Sequence, residues 1–146
     1  MIDNILIYEC GSMTSFYEIN RYEDAIKWRE YVKDYFKESN IKVFDPTFNS
    51  LNHFKHPREY YDGIIKQNHI YLNKSHILLV NLDMFEDSIG SIWEMSTMYN
   101  EHKPIICFNE CKKWEQRPHL KSMVSVKLDT VEDACDYILS MYGQKI

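Results

Sequence analysis

Five short apolar runs, interleaved with stretches in which apolar residues recur every three or four positions, predict an α/β fold. Strands alternating with helices imply a parallel sheet covered on both faces. The expected architecture is a flavodoxin/Rossmann-like three-layer sandwich with a five-stranded parallel sheet in the order 2-1-3-4-5. A chain of 146 residues, with no internal repeat and no linker, fits one such domain over residues 1–146.

Residues 4–8 (NILIY) read as a short buried strand. Glu9-Cys10-Gly11-Ser12 follows as a corner, with glycine where backbone must bend or approach a ligand. The loop continues through Met13-Thr14-Ser15. Over residues 21–39, Tyr22, Ala25, Trp28, Val32, Tyr35 and Phe36 share one helical face. Residues 41–44 form a second strand, ended by Asp45-Pro46. Residues 47–56 are a polar and aromatic loop long enough to be a lid. Pro57 suits the first position of the next helix, whose Tyr61, Ile64, Ile65, Asn68 and Leu72 form one stripe that puts Asn68 in line with the core.

Residues 75–82 are the third and most apolar strand. A helix over residues 90–101 carries Ile92, Met95 and Tyr99 as its core stripe. A fourth strand spans 105–108, and residues 109–120 are polar and irregular with room for one helical turn. A fifth strand at 124–128 and a final helix at 130–142, opening on a capped Thr130, complete the domain.

Composition removes several classes of function. A net charge of -5 argues against a nucleic acid polymer as partner, because phosphate backbones demand a basic face. No apolar run approaches the ~18 residues of a membrane span. Met1-Ile2-Asp3-Asn4 lacks the basic start and apolar core of a secretion signal. Cys10, Cys107, Cys111 and Cys135 are irregularly spaced, which fits a reducing, cytoplasmic setting. Neither a three-glycine dinucleotide fingerprint nor a P-loop lysine is present. Cys107 and Cys111 lack a metal-ligand pattern, as do His53 and His56, so no cofactor and no metal is expected. The 11 tyrosines suggest a cavity with several hydroxyls at its wall.

The chemistry concentrates in residues 75–100. A buried strand ends in Asn81-Leu82-Asp83, an acidic loop follows, and Ser88-Ile89-Gly90-Ser91 opens a helix carrying Glu94 in its first turn. Strand, polar loop and helix start make the ligand-binding corner of an open α/β sheet, and the unpaired N–H groups of the helix start attract anions. In the expected strand order, residues 9–15 and 83–94 meet there. Each part also has a purely structural explanation. Ser91 and Glu94 fit a capping box, Asp83, Glu86 and Asp87 a solvated loop, Gly11 a turn and Ser12 a cap.

Taken in order, Tyr8-Glu9-Cys10-Gly11-Ser12, Asn81-Leu82-Asp83, Ser88-Ile89-Gly90-Ser91-Ile92-Trp93-Glu94 and Lys103-Pro104-Ile105-Ile106 resemble the nucleoside 2-deoxyribosyltransferase superfamily. That group includes the 2'-deoxynucleoside 5'-monophosphate N-glycosidases, and the resemblance runs from about residue 4 to residue 108. It implies Glu94 as the nucleophile that attacks the anomeric carbon, with Tyr8 orienting it. It implies Gly11 and Ser12 beneath the sugar or its phosphate, with Asp83, Ser88, Gly90 and Ser91 completing the substrate site. Where the transferases tend to carry an aspartate, this chain has Ser88, which suits a 5'-phosphate better than a carboxylate would. Thr14 stands where the monophosphate hydrolases can offer an arginine, and Arg29 is a candidate to replace it.

Asn68 occupies the family's usual aspartate position, and an amide hydrogen-bonds without giving up a proton. Asp45, Asp87, His69 and Glu9 are then the alternative acids. The resemblance also implies a homodimer or higher homo-oligomer. Three readings stay open: cleavage or transfer at the N-glycosidic bond of a (deoxy)nucleoside or its 5'-monophosphate; a non-catalytic nucleotide-binding or sensing module with the same pocket; and a receiver-like domain built on Glu9, Asp83 and Lys127.

Overall fold

The computed structural model describes residues 3–47, 60–113 and 116–145. Its sheet contains β1 (Ile5–Gly11), β2 (Ile41–Phe44), β3 (Ile77–Asn81), β4 (Ile105–Phe108) and β5 (Val126–Leu128). The strands lie in the order β2-β1-β3-β4-β5, and every neighbouring pair is parallel. Around them stand α1 (Thr14–Glu18), α2 (Tyr22–Phe36), α3 (Tyr61–Lys74), α4 (Ile89–Asn100), α5 (Pro118–Met123) and α6 (Val131–Tyr142). The expected fold and strand order are therefore observed.

Both faces of the sheet are covered, and the period-2 alternation of each strand divides its residues between two cores. On one face Tyr8, Cys10, Leu78, Val80, Ile105 and Cys107 meet Leu72 of α3 and Met95 and Met98 of α4. On the other, Ile5, Ile7, Leu79, Ile106 and Phe108 meet Trp28, Val32 and Phe36 of α2 and Ala134, Cys135 and Ile138 of α6. Phe44 at the end of β2 links the layers: its ring lies 5.3 Å from that of Tyr8 and stacks at 4.1 Å on Tyr71 of α3.

Several boundaries differ from those the pattern suggested. β1 runs on through Glu9, Cys10 and Gly11, because Cys10 pairs with Val80 and Gly11 with Asn81, and the ladder satisfies the backbone there. The segment read as a loop after Ser12 contains α1, a five-residue helix anchored by buried Phe16 and too short to show periodicity. The stripe of α3 is only part of the core. Leu72 is fully buried, Tyr61, Ile64 and Asn68 are half-buried, and Ile65 is exposed. On α4, Met98 rather than Tyr99 continues the stripe from Met95, and Tyr99 faces outward. In the polar stretch 109–120, helix α5 starts at Pro118. The expected lid at 47–56 (beyond Thr47) and the Pro57 helix start lie outside the described residues.

The helix ends follow local chemistry. Thr130 Oγ1 accepts from the Asp133 backbone N–H at 3.1 Å, so the expected cap of α6 is present. The expected Ser91–Glu94 capping box is absent, because α4 begins at Ile89 and neither side chain caps it. Glu94 lies inside the helix, with its carboxylate free for other contacts.

Candidate active site

Beyond the C-terminal ends of β1 and β3, where the strand order reverses, lies a cleft of about 290 Å³. Gly11, Ser12, Met13, Thr14 and Ser15 form one wall, and Ser88, Ile89, Gly90, Ser91 and Glu94 the other. Of the residues predicted from sequence, Gly11, Ser12, Ser88, Gly90, Ser91 and Glu94 thus meet at one place. Tyr8 lies beneath them. Asp83 and Asn68 are not among the described residues that line the cleft. Met13, Thr14, Ser15 and Ile89, all within the two segments expected to meet there, also line it.

Gly11 is favoured by the close approach of its neighbours. A side chain there would bring its Cβ within 3.2 Å of the Trp28 ring and 3.3 Å of the Asn81 Cβ. From behind, the Arg29 guanidinium donates to the Gly11 carbonyl at 3.2 Å and to the Ala25 carbonyl at 2.5 Å, and it stacks 4.5 Å from the Trp28 ring centroid. Arg29 has no exposed surface. It therefore holds the corner that carries Ser12 and is not the phosphate-reaching replacement suggested by the sequence.

Across the cleft, Ser88 Oγ and Ser91 Oγ are 2.5 Å apart. Ser88 sits at the N-cap of α4, and its carbonyl accepts from Ile92 N–H at 3.1 Å. The preceding N–H groups of the first turn have no intrahelical acceptor. Hydroxyls and helix N–H groups together make an electropositive wall suited to an oxyanion. Asn81, at the end of β3, accepts at Oδ1 from both Asp83 N–H and Asn109 Nδ2, each at 2.9 Å. It fixes the base of the loop that leads to Ser88.

Glu94 is the charged side chain of the cleft lining. Its Oε2 is buried without a hydrogen-bond partner among the described residues. Burial pushes its carboxyl up to about 7, partly offset by a hydrogen bond from Tyr8 and by the field of Arg29. The Tyr8 hydroxyl is itself held in its neutral form, first by burial and then by the Glu94 charge, so it serves as a donor. A carboxylate with one oxygen unpaired, poised between its two protonation states near neutral pH, is suited to nucleophilic or acid–base work.

The alternative acids are placed as follows. Glu9 is fully buried on the α2 face of β1, opposite to Tyr8 and Cys10. Asp45 accepts from Lys33 at 2.9 Å and from Thr47 N–H at 2.8 Å. His69 packs its ring 3.8 Å from that of Trp93, and burial lowers its pKa. The side chain of Asp87 lies outside what is described. Asn68 Oδ1 is buried with no partner among the described residues. The receiver-like grouping is not assembled, since Glu9 is sealed against α2 while Lys127 is exposed on β5.

The model of the family described as nucleoside 2-deoxyribosyltransferase matches residues 7–127. A conserved protein from Enterococcus faecalis V583 has a similar structure, with a TM-score of 0.71 and 13% identity over 94% of this chain and 98% of that one. A 2-deoxyribosyltransferase from Bacillus psychrosaccharolyticus superposes with a TM-score of 0.62 and 17% identity, covering 90% of this chain and 91% of that one. A search of curated protein sequences found no match.

The raised Glu94 pKa makes a stability prediction. A carboxyl whose folded pKa exceeds its unfolded value favours the folded state at low pH, and that contribution is lost as pH rises from about 4.5 through about 7. Glu94→Gln removes the penalty of burying the ionised form. Urea denaturation should show the variant equal to the wild type near pH 4. It should become more stable at pH 8, by up to about 3 kcal/mol. A stability difference that does not change with pH would contradict the raised pKa.

Proposed function

The chain belongs to the nucleoside 2-deoxyribosyltransferase family, and from that premise we propose that it cleaves or transfers at the N-glycosidic bond of a (deoxy)nucleoside or its 5'-monophosphate. The observation that carries this reading is the Glu94 carboxylate, buried on Tyr8 and opening into a hydroxyl-lined cleft. Glu94 attacks the anomeric carbon as the bond to the base breaks, giving a glycosyl ester. The base leaves with the bonding electrons and takes up a proton. Water, or a second base, then attacks the same carbon and frees Glu94. Asn68, which is not among the described cleft-lining residues and carries an amide, supplies no proton to the departing base.

Ser12, Ser88 and Ser91 with the α4 start supply donors for the 5' end of the sugar. No carboxylate other than Glu94 is among the described cleft-lining residues, which favours the 5'-monophosphate. The second reading, a nucleotide-binding module without turnover, draws its support from Asn68, whose buried oxygen belongs to an amide and not to an acid.

The apolar residues left in water support self-association. Ile65 of α3 is 39% exposed, and Ile89 and Trp93 of α4 are 81% and 53% exposed. Ile89 is also part of the cleft wall, so a second copy of the chain covering this face would border the site. No helix among the described residues is long and apolar enough to cross a membrane. The four free, buried cysteines support a reducing compartment such as the cytoplasm.

Incubation with deoxynucleosides and their monophosphates should release free base, detected by chromatography. Glu94→Gln should abolish the release while the protein stays folded; undiminished turnover by the variant would remove Glu94 from the mechanism. Ser88→Asp should weaken a 5'-monophosphate more than the free nucleoside in calorimetry, by on the order of a few kcal/mol if the charges are partly desolvated. Equal losses for the two ligands would move the phosphate away from Ser88. In sedimentation velocity the wild type should run as a dimer or larger, and Ile89→Asp with Trp93→Glu should shift it towards the monomer. A wild type that is monomeric at high concentration would end the self-association proposal.

A further inference from the structure

Two side chains of β1 face α4 at the C-terminal end of the sheet, Tyr8 and Cys10. Tyr8 has a role by family resemblance; Cys10 has none. Cys10 has no exposed surface, and its Sγ lies 3.7 Å from the Ser91 carbonyl oxygen and 4.0 Å from Glu94 Oε1. A thiol has one proton to give, and a carboxylate is a stronger acceptor than a peptide carbonyl. We propose that Cys10 is a positioning residue for Glu94: its thiol donates to Oε1 from beneath the cleft and, with Tyr8, holds the carboxylate aimed at the ligand. The inference rests on the reading of Glu94 as the nucleophile.

The surroundings favour the thiol as donor. Burial, then the Glu94 charge, raise the Cys10 pKa well above its usual value, so the sulfur keeps its proton. The groups that act on Glu94 are few. From β1 they are Tyr8 and Cys10, and from α2 the buried Arg29. Cys107 of β4 lies beyond Cys10, and β3 contributes no titratable side chain. From α3, Asn68 is uncharged and His69 is stacked on Trp93. Glu86 of the turn before α4 is half-buried, while His119 and Lys121 of α5 are exposed. A donated hydrogen bond stabilises the ionised carboxylate and lowers its pKa, so loss of the thiol raises it.

The test is a carbon-13 titration of carboxyl-labelled glutamate, with the Glu94 signal assigned by its absence from Glu94→Gln. Cys10→Val fills the space without a donor and should raise the Glu94 midpoint by about half to one unit. Cys10→Ser keeps a donor and should leave the midpoint at or below that of the wild type. Cys10→Ala carries the same expectation as valine where the larger side chain prevents folding. In base-release assays the acid limb should move to higher pH in the valine variant, with kcat falling and KM unchanged. A valine variant that titrates with the wild type, or a serine variant that rises with the valine one, would overturn the proposal. The titration reads the carboxylate whether or not it attacks a sugar. Base release by Glu94→Gln would therefore defeat the functional reading, and the Glu94 midpoints would still decide what the thiol does.

Discussion

Glu94 is half-buried, its carboxylate turned against the end of β1 with Oε2 sealed from water, instead of lying free at the helix start. That placement depends on where α4 begins. Each helical residue turns the side-chain direction by about 100°, so a start one residue earlier or later would rotate Glu94 out of the cleft wall. The register between β1 and β3 sets the other side of the contact. Pairing Cys10 with Val80 keeps Tyr8 and Cys10 on the α4 face and sends Glu9 to the opposite one. A slip of one residue would place a carboxylate against a carboxylate.

Behind β1 a second set of charges supports the same corner. Arg29, Glu9 and Asp45 are buried together, and Lys33 reaches Asp45 from the edge. Burial, reinforced by Asp45, raises the Glu9 pKa well above that of a free carboxyl, with Arg29 and Lys33 opposing. Such a cluster is a poor source of stability, because desolvation opposes the attraction between its members. Its structural product is local: a guanidinium that cannot leave, bound to the Gly11 carbonyl where the strand becomes the cleft wall.

The fold was legible because strand and helix periodicities are strong over most of the chain. The strand order and the meeting of residues 9–15 with 83–94 followed from topology, and Glu94, Ser12 and Ser88 followed from an ordered set of short motifs. What escaped has physical reasons. α1 is shorter than the window in which periodicity shows. Glu9 looked like the end of a strand because the side chain is charged, whereas the buried Arg29 that accompanies it comes from a helix distant in sequence. Tyr99 and Ile65 matched an apolar stripe yet lie exposed, since periodicity names a face without saying how much of it the neighbouring layer covers. The Ser91–Glu94 spacing fitted a cap, but only the position of the first helical residue decides whether a cap exists.

Asn81 has a mechanical consequence. One amide oxygen receives the N–H at the root of the acidic loop and the side-chain amide that follows β4. It works as a rivet through two plates. Lifting the loop that carries Ser88 away from the sheet means parting from a joint that also anchors the neighbouring strand's exit. The opposite wall is fastened at Gly11, whose carbonyl accepts from the buried Arg29 at 3.2 Å, and by Phe16, the buried residue of α1, while Thr14 between them is exposed. Each jaw of the cleft is thus pinned at its root, one by the Asn81 amide and the other by the Arg29 guanidinium, and a ligand enters between two held edges.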